Sequence, residues 1–323
     1  MYMLIICALG AASQDVFLSG KGIRAQLDPQ INEYVEEFKL GAKLDVEKVV
    51  FATGGGATNA AVTFARQSID SHFIGRVGRD AAAHIVLSEL DSEHIDTSKV
   101  IYDDIVGTQY STILLADNGE RTILIYRGAA HGHIVTDYEL IDFRDYEWLY
   151  ISTFSGAMEV LDTIITNAKK YGTKIAFNPG KAELDKPDLL RGLLNDVDIL
   201  IMNKEEAMLV VNGETSEELA RHATHYCPVV VISDGPQGVI ATDGKTIVEA
   251  GMYEDVAVID RTGAGDAFGS GFLSQWSQGK SLKDSVIFAS ANSTSVVTKI
   301  GAKEGILHSG TVLHDMPIKE REF

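Results

Sequence analysis

Short runs of apolar residues alternate with amphipathic segments in the second half of the chain. Four of these runs are apolar at successive positions, as is typical of strands buried on both faces of a sheet. They are Trp148–Ser152, Lys174–Phe177, Asp198–Met202 and Val229–Ser233. The segments between them have the spacing of amphipathic helices, as in Val160–Tyr171. This alternation predicts an α/β fold with a mostly parallel central sheet flanked by helices.

Two segments interrupt the alternation and predict a separate small sheet. Residues 16–51 are mixed and polar, and residues 107–127 contain two predicted strands, Tyr110–Ala116 and Arg121–Tyr126, joined by Asp117-Asn118-Gly119-Glu120. Asn-Gly between two apolar runs is a strong hairpin signal. Because no crossover helix follows, we expect both segments to form a lid outside the main sheet. No linker rich in proline, glycine or serine divides the chain, so residues 1–323 are predicted to form one domain.

Composition and charge narrow the class of protein. The 323 residues carry 28 Lys and Arg against 46 Asp and Glu, a net charge of −18. A field of that sign argues against binding to nucleic acid or to an anionic membrane. The first nine residues are apolar but lack a basic leading segment, so they predict a buried strand rather than a signal peptide or a membrane span. Cys7 and Cys227 form no metal-binding pair, which favours a reducing, cytoplasmic setting.

The strongest chemical signal is the segment Val258–Leu273, with the sequence VIDRTGAGDAFGSGFL. An apolar stretch leads into a glycine-rich turn, and Asp266 opens the helix that follows. The first N–H groups of a helix are unpaired and its dipole attracts negative charge, so residues 263–265 can hold an anion. A carboxylate beside an anion site fits phosphoryl transfer, in which the amides hold the phosphate and Asp266 accepts the proton of the attacking hydroxyl. The competing interpretation is a turn with an N-cap aspartate. A Walker A loop is excluded, because no Gly-Lys-Ser/Thr follows.

A second glycine-rich segment, Phe51–Arg66, also precedes a predicted helix. Gly54 and Gly55 would allow a polyol to lie against the main chain, with Asn59 hydrogen-bonding its hydroxyls. The alternative is a glycine-rich helix entry with a polar cap.

A third signal, Met202–Ala207, directly follows a buried strand. Asn203 and Glu206 are three residues apart, so they share one helix face at the sheet edge where α/β proteins bind ligands. Glu206 is a candidate to organise Mg²⁺ and its waters, because Mg²⁺ prefers oxygen ligands. The alternative is a capping box, in which the two side chains satisfy the helix terminus.

These motifs together resemble those of the ribokinase-like (PfkB) family of carbohydrate and nucleoside kinases. The resemblance spans nearly the whole chain and keeps the signatures in order. The segments that carry it are GGGATN (54–59), GRVGRDAAAHIVLSEL (75–90), GERTILIYRGA (119–129), MNKEEA (202–207) and DRTGAGDAF (260–268). It implies a three-layer ribokinase-like fold and ATP-dependent, Mg²⁺-assisted phosphorylation of a hydroxyl of a sugar or sugar-like molecule.

The resemblance also implies a role for each matching residue. The catalytic base is Asp266, and the anion hole consists of Gly263, Ala264 and Gly265. The acceptor is bound by Asp15, Gly54, Gly55 and Asn59. The nucleotide is bound by Asn203, Ser233, Gly235, Gly238 and Asn292, with Asn292 in the adenine pocket. The metal residues are Glu206 for Mg²⁺, and Asp260 and Thr262 for a monovalent cation such as K⁺.

Two alternative functions stay open. A nucleoside kinase would need an apolar base pocket in the lid, for which the aromatic candidates are Phe17, Phe38, Phe51 and Tyr110. A non-catalytic regulator that binds a sugar or a nucleotide is the alternative outside the enzymes, and the intact Asp266 argues against it. The sequence does not specify the acceptor, and exposed lid edges would be consistent with a homodimer.

Overall fold

The structure is a computed structural model that describes residues 4–116 and 120–323. Its strands are β1 (Ile5–Leu9), β2 (Ser13–Ser19), β3 (Gln26–Asp28), β4 (Glu33–Val35), β5 (Lys48–Gly54), β6 (Asp70–Ile74), β7 (Arg76–Gly78), β8 (Ile101–Asp103), β9 (Gln109–Leu115), β10 (Arg121–Tyr126), β11 (Trp148–Ile151), β12 (Lys174–Phe177), β13 (Ile199–Asn203), β14 (Val229–Ser233), β15 (Val239–Thr242), β16 (Thr246–Ala250) and β17 (Ile318–Glu322). Its α-helices are α1 (Gly56–Arg66), α2 (Ala81–Ser92), α3 (Met158–Tyr171), α4 (Lys181–Leu184), α5 (Pro187–Leu194), α6 (Lys204–Val210), α7 (Ser216–Ala223), α8 (Ala264–Trp276) and α9 (Leu282–Val296). Within these ranges, no helix combines the length and the apolar character that a membrane crossing requires.

The main sheet has nine strands in the order β17-β16-β15-β14-β13-β12-β11-β1-β6. The strands from β6 to β14 in this order are parallel to their neighbours, and those from β14 to β17 are antiparallel. The four continuously apolar runs of the sequence are β11 to β14, which are adjacent at the centre of the sheet. The prediction of an α/β fold with a mostly parallel sheet is therefore confirmed.

Two hydrophobic cores lie on opposite faces of this sheet, because successive side chains of a strand point to opposite sides. In β1, Ile6 and Ala8 enter the core that includes residues of α1, α2, α8 and α9. Cys7 and Leu9 enter the core that includes residues of α3, α5, α6 and α7. Helices therefore cover both faces, which gives three layers and explains why the central strands are apolar at every position.

A second sheet of four strands, in the order β10-β9-β2-β5, is built from the two segments predicted to form a lid. The structure forms β10 over the predicted residues, and β9 begins one residue before the predicted strand. The two strands pair antiparallel, with Arg121 opposite Leu115. The predicted turn residues 117–119 lie outside the described residues. We call this sheet the lid sheet, and its role as a lid stays a prediction.

Asp80 connects the lid sheet to the body of the protein. Its carboxylate caps α2 by accepting a hydrogen bond from the backbone N–H of Ala83 at 2.9 Å. The same carboxylate accepts bonds from the backbone N–H and the hydroxyl of Thr108, at 2.7 and 2.8 Å. Because Thr108 immediately precedes β9, this side chain determines where the lid sheet leaves the main fold.

Candidate active site

Helix α8 begins at a glycine whose backbone dihedral angles are left-handed. Gly263 has a φ of 78°, which glycine adopts without the cost that a side chain would impose. A Cβ atom at this position would also overlap the side chain of Ala302. Residues 263–265 line a cleft of about 330 Å³ together with Asp266. The helix terminus predicted to bind an anion therefore borders a cavity that a ligand can enter.

The packing of α1 against α8 brings Asn59 to Asp266. Between the two helices, the Ser270 hydroxyl donates a hydrogen bond to the Thr63 hydroxyl at 2.9 Å. One turn earlier on each helix, Nδ2 of Asn59 donates to Oδ2 of Asp266 at 2.8 Å. Asn59 is buried, and its Oδ1 has no hydrogen-bond partner among the described residues. That oxygen is available to accept a bond from a ligand hydroxyl.

The carboxyl group of Asp266 lines the cleft and is otherwise surrounded by protein atoms. Burial raises its pKa, while the hydrogen bond from Asn59 and the positive charge of Lys303 lower it. The bond from Asn59 uses Oδ2, which leaves Oδ1 for the cleft. A carboxylate that is fixed on one oxygen and open on the other has the geometry of a general base.

Asp15 lies on β2, beside the turn that precedes α1. Its Oδ1 accepts a hydrogen bond from the Ser13 hydroxyl at 3.1 Å, and burial raises its pKa. A side chain at Gly54 would overlap the Asp15 carboxylate, and one at Gly55, where φ is 99°, would overlap the main chain before β2. Asp15, Gly54 and Gly55 therefore lie together, and Asn59 on the following helix contacts Asp266.

Asn203 and Glu206 form the capping box that was the alternative interpretation of their motif. The backbone N–H of Asn203 donates to Oε2 of Glu206 at 2.8 Å, and the N–H of Glu206 donates to Oδ1 of Asn203 at 2.9 Å. Both residues also line the 330 Å³ cleft. Burial and the charge of Asp266 raise the pKa of Glu206. Because the capping bond leaves Oε1 free in an oxygen-lined cleft, the residues fit Mg²⁺, which takes oxygen ligands and retains water.

A second cavity, of about 170 Å³, continues from the cleft. Ser233, Ala264, Gly265 and Phe268 line both cavities. The predicted nucleotide residues Gly235 and Gly238 line the second one. Its other lining residues are Val239, Gly251, Met252, Tyr253, Ser290, Ser293 and Thr294. Apolar side chains on one side and hydroxyls on the other suit the flat face and the polar edge of a nucleobase.

Asn292, which the resemblance places in the adenine pocket, is not among the residues that line this cavity. Asn292 is fully buried, its Nδ2 donates to the Ala267 carbonyl at 2.8 Å, and its Oδ1 accepts from the Leu307 N–H at 2.9 Å. Three α9 residues line the cavity, Ser290, Ser293 and Thr294, and the buried hydroxyl of Ser290 has no partner among the described residues. Two positions along a helix turn a side chain by about 200°, so Ser290 and Asn292 point to different sides of α9.

Asp260 and Thr262, which the resemblance implies for a monovalent-cation site, are hydrogen-bonded to each other. Oδ1 of Asp260 accepts hydrogen bonds from the backbone N–H and the hydroxyl of Thr262, at 2.9 and 2.7 Å, and Oδ2 accepts from the Gly301 N–H at 3.0 Å. Nη1 of Arg121, on β10, lies 3.8 Å from Oδ1. With most of its accepting capacity used and a guanidinium beside it, the buried Asp260 carboxylate does not fit a second cation.

The aromatic residues considered for a nucleoside pocket do not converge on the site. Phe17 is buried, whereas Phe38 and Phe51 are exposed. Neither they nor Tyr110 line either of the two cavities. Phe17, Phe51 and Tyr110 are instead strand residues of the lid sheet, on β2, β5 and β9.

Two cationic residues of the site were not identified from the sequence. Arg261 lines the cleft beside the anion hole, and its position inside the glycine-rich motif was a usable signal. Lys303 is buried and its charge acts on both Asp15 and Asp266. A single lysine in a polar segment carries no pattern, so only the fold identifies it.

Comparisons with known proteins agree with this geometry. The family model described as pfkB family carbohydrate kinase matches residues 29–308. A ribokinase of Staphylococcus aureus (strain COL) is 27% identical over 312 residues, which cover 93% of this chain and 96% of the relative. A fructokinase of Vibrio alginolyticus is 28% identical over 250 residues, which cover 74% of this chain and 81% of the relative.

Solved structures show the same fold. The Arabidopsis thaliana ribokinase complexed with ribose and ATP superposes with a TM-score of 0.78 at 21% identity, covering 95% of this chain and 96% of that chain. The nucleoside kinase of Methanocaldococcus jannaschii has a TM-score of 0.73 at 22% identity, with 95% of each chain covered. At such low identity, these likenesses concern the fold alone. The predicted three-layer ribokinase-like fold is confirmed.

Proposed function

Since this chain belongs to the pfkB family of carbohydrate kinases and is a phosphotransferase with an alcohol group as acceptor, we propose that it transfers the γ-phosphoryl group of ATP to a hydroxyl of a sugar or sugar-like molecule, with Asp266 as the base. The observation that carries this proposal is the position of Asp266. Its carboxylate borders the same cleft as the N-terminus of α8 and is hydrogen-bonded to Asn59, next to the acceptor residues.

The proposed reaction is an in-line displacement at the γ-phosphorus. The acceptor oxygen forms a bond to phosphorus, the bond from phosphorus to the bridging oxygen of ADP breaks, and the acceptor proton passes to Oδ1 of Asp266. Because the transition state is loose, catalysis consists mostly of positioning and charge stabilisation. The amides of residues 263–265 would stabilise the charge on the transferring group.

Two groups would complete the phosphate site. Mg²⁺, when bound, neutralises phosphate charge and orients the triphosphate. Glu206 would hold this ion through its waters, and Arg261 would contribute a positive charge from the opposite side of the anion hole. The nucleoside part of ATP would occupy the 170 Å³ cavity, between Phe268 and the hydroxyls of α9.

The acceptor is proposed to lie between the lid sheet and α1. Asp15 and Oδ1 of Asn59 would accept hydrogen bonds from its hydroxyls, and Gly54 and Gly55, which leave room for the Asp15 carboxylate and the main chain before β2, would keep Asp15 in place. These groups recognise adjacent hydroxyls, as a sugar presents them. We also place the protein in the cytoplasm, because Cys7 and Cys227 are both free and buried.

The test is a coupled assay of ADP release with a panel of sugars and nucleosides, using the wild-type chain and Asp266→Asn. We expect transfer to a sugar, and a loss of roughly 10²–10⁴ in kcat in the variant, because general-base catalysis contributes about that factor. Nucleotide affinity should change little, since the variant retains the anion hole. Near-normal turnover by Asp266→Asn, or transfer to nucleosides alone, would contradict the proposal. Binding of sugar and ATP without any transfer would favour the regulator.

A further inference from the structure

Lys303 is a buried lysine that the reaction as described does not use. The residue is 4% exposed and follows α9. Its Nζ contacts the hydroxyl of Thr53 and lies 3.3 Å from Oε2 of Glu89. Thr53 in turn donates a hydrogen bond to the same Glu89 oxygen. A buried ammonium group is costly unless it is paired and hydrogen-bonded, so its retention calls for an explanation.

These contacts connect three parts of the candidate site. Thr53 lies on β5, directly before Gly54 and the acceptor turn. Glu89 lies on α2. Ala302, adjacent to Lys303, packs where a side chain at Gly263 would be, at the start of the anion hole. One ammonium group therefore joins the acceptor strand, α2 and the segment that supports the phosphate site.

The positive charge of Lys303 acts on Asp15 and Asp266 as well as on Glu89. Its charge lowers the pKa of Asp15 and of Asp266, against the burial that raises both. Burial lowers the pKa of Lys303 itself, and Glu89 and Asp15 are among the groups that raise it. The other charged or titratable groups around Asp266 are Glu206, Tyr150 and the cleft-lining Arg261.

We propose that Lys303 is a positioning residue for phosphoryl transfer, acting as the buried counter-charge that keeps Asp266 ionised and holds the acceptor strand to the anion-hole segment. This inference rests on the proposed role of Asp266 as the base. It assigns Glu89 a supporting role, because the Glu89 carboxylate raises the pKa of the buried Lys303 and so keeps the ammonium group charged.

The test compares the pH dependence of kcat in the wild-type chain, Lys303→Met and Lys303→Arg. A base works only when it is deprotonated, so kcat falls below the pKa of Asp266. Without Lys303 that pKa rises, so the acid limb moves to higher pH, and the rate near pH 6 relative to that near pH 8 falls by roughly threefold or more. Lys303→Arg retains the positive charge and should leave the acid limb near that of the wild-type chain. The control, Lys48→Met, removes an exposed lysine from the same strand and should leave the profile unchanged.

A shift in Lys303→Met that is absent in Lys303→Arg supports an electrostatic role, because both variants lose the packing of the lysine side chain. Unmoved profiles, or the same shift in both variants, would overturn the proposal. Lys303→Gln, whose amide can hydrogen-bond to Thr53 and Glu89, replaces Lys303→Met if that variant does not fold. A direct readout is the ¹³C titration of aspartate carboxyls, with the Asp266 signal assigned by its loss in Asp266→Asn. This titration shows the effect of Lys303 even if the wild-type chain transfers no phosphate, an outcome that would refute the proposed function by itself.

Discussion

At the scale of single residues, Asp260 illustrates how the surroundings of a motif aspartate decide its chemistry. Three hydrogen bonds from Thr262 and Gly301 use its carboxylate to hold the loop before α8. Arg121 reaches the same carboxylate from β10. The chain therefore supplies from its own lid sheet the positive charge that a bound cation would bring.

This arrangement predicts that turnover does not depend on the monovalent cation. We expect equal rates in potassium, sodium and tetramethylammonium chloride at the same ionic strength and Mg²⁺ concentration. Arg121→Gln should make the rate sensitive to that exchange, because it leaves the Asp260 carboxylate without a cationic neighbour. Arg79→Gln, which removes an exposed arginine paired with Asp104, is the control. A strict potassium requirement in the wild-type chain would refute this explanation.

At the scale of secondary-structure elements, the start of α8 determines the backbone geometry of the proposed anion hole. Gly263 needs both a positive φ and the absence of a side chain, because Ala302 fills the space where a Cβ would be. At Gly265, two residues later, an added Cβ atom would meet only open space, and φ is not positive. The two glycines of one motif therefore have different reasons to be glycine.

We predict that Gly263→Ala lowers the free energy of unfolding by about 1–3 kcal/mol, through backbone strain and overlap. It should also reduce kcat, because the first turn of α8 has to move. Gly265→Ala is the matched control, and its stability should not fall, because alanine is favoured over glycine inside a helix. Urea unfolding of both variants measures the difference. Equal stabilities would show that the turn tolerates a side chain.

At the scale of the whole molecule, the lid sheet leaves an apolar edge in solvent. All six residues of β10 are exposed, among them Ile123, Leu124, Ile125 and Tyr126. An exposed apolar edge strand is a template for pairing with another chain. A protein with a net charge of −18 repels most anionic partners at long range, so a contact with another acidic copy has to depend on short-range apolar burial.

We therefore predict a homodimer that forms through the lid sheet. Light scattering coupled to gel filtration should give twice the chain mass for the wild-type protein and the chain mass for Leu124→Lys. The control is Leu140→Lys, which places a charge at an exposed leucine outside the lid sheet and should stay dimeric. A monomeric wild-type chain across micromolar concentrations would exclude this assembly.

The sequence by itself determined the class of fold and the position of the chemistry. Continuous apolar runs separated by helical spacing are sufficient for a buried parallel sheet, because strands covered on both faces need apolar residues at every position. The glycine-rich strings before two helices identified residues 54–59 and 263–266, since both the backbone geometry and the anion-binding terminus are local properties of the chain.

Only the tertiary structure decided which side chains act together. Ser290 rather than Asn292 lines the 170 Å³ cavity, because the rotation of α9 against α8 depends on packing across the whole interface. The contacts of Lys303 with Thr53 and of Arg121 with Asp260 join residues that are far apart in sequence and whose neighbours show no pattern. Such pairs are specified by how the elements meet, which depends on the summed packing of the chain rather than on any local motif.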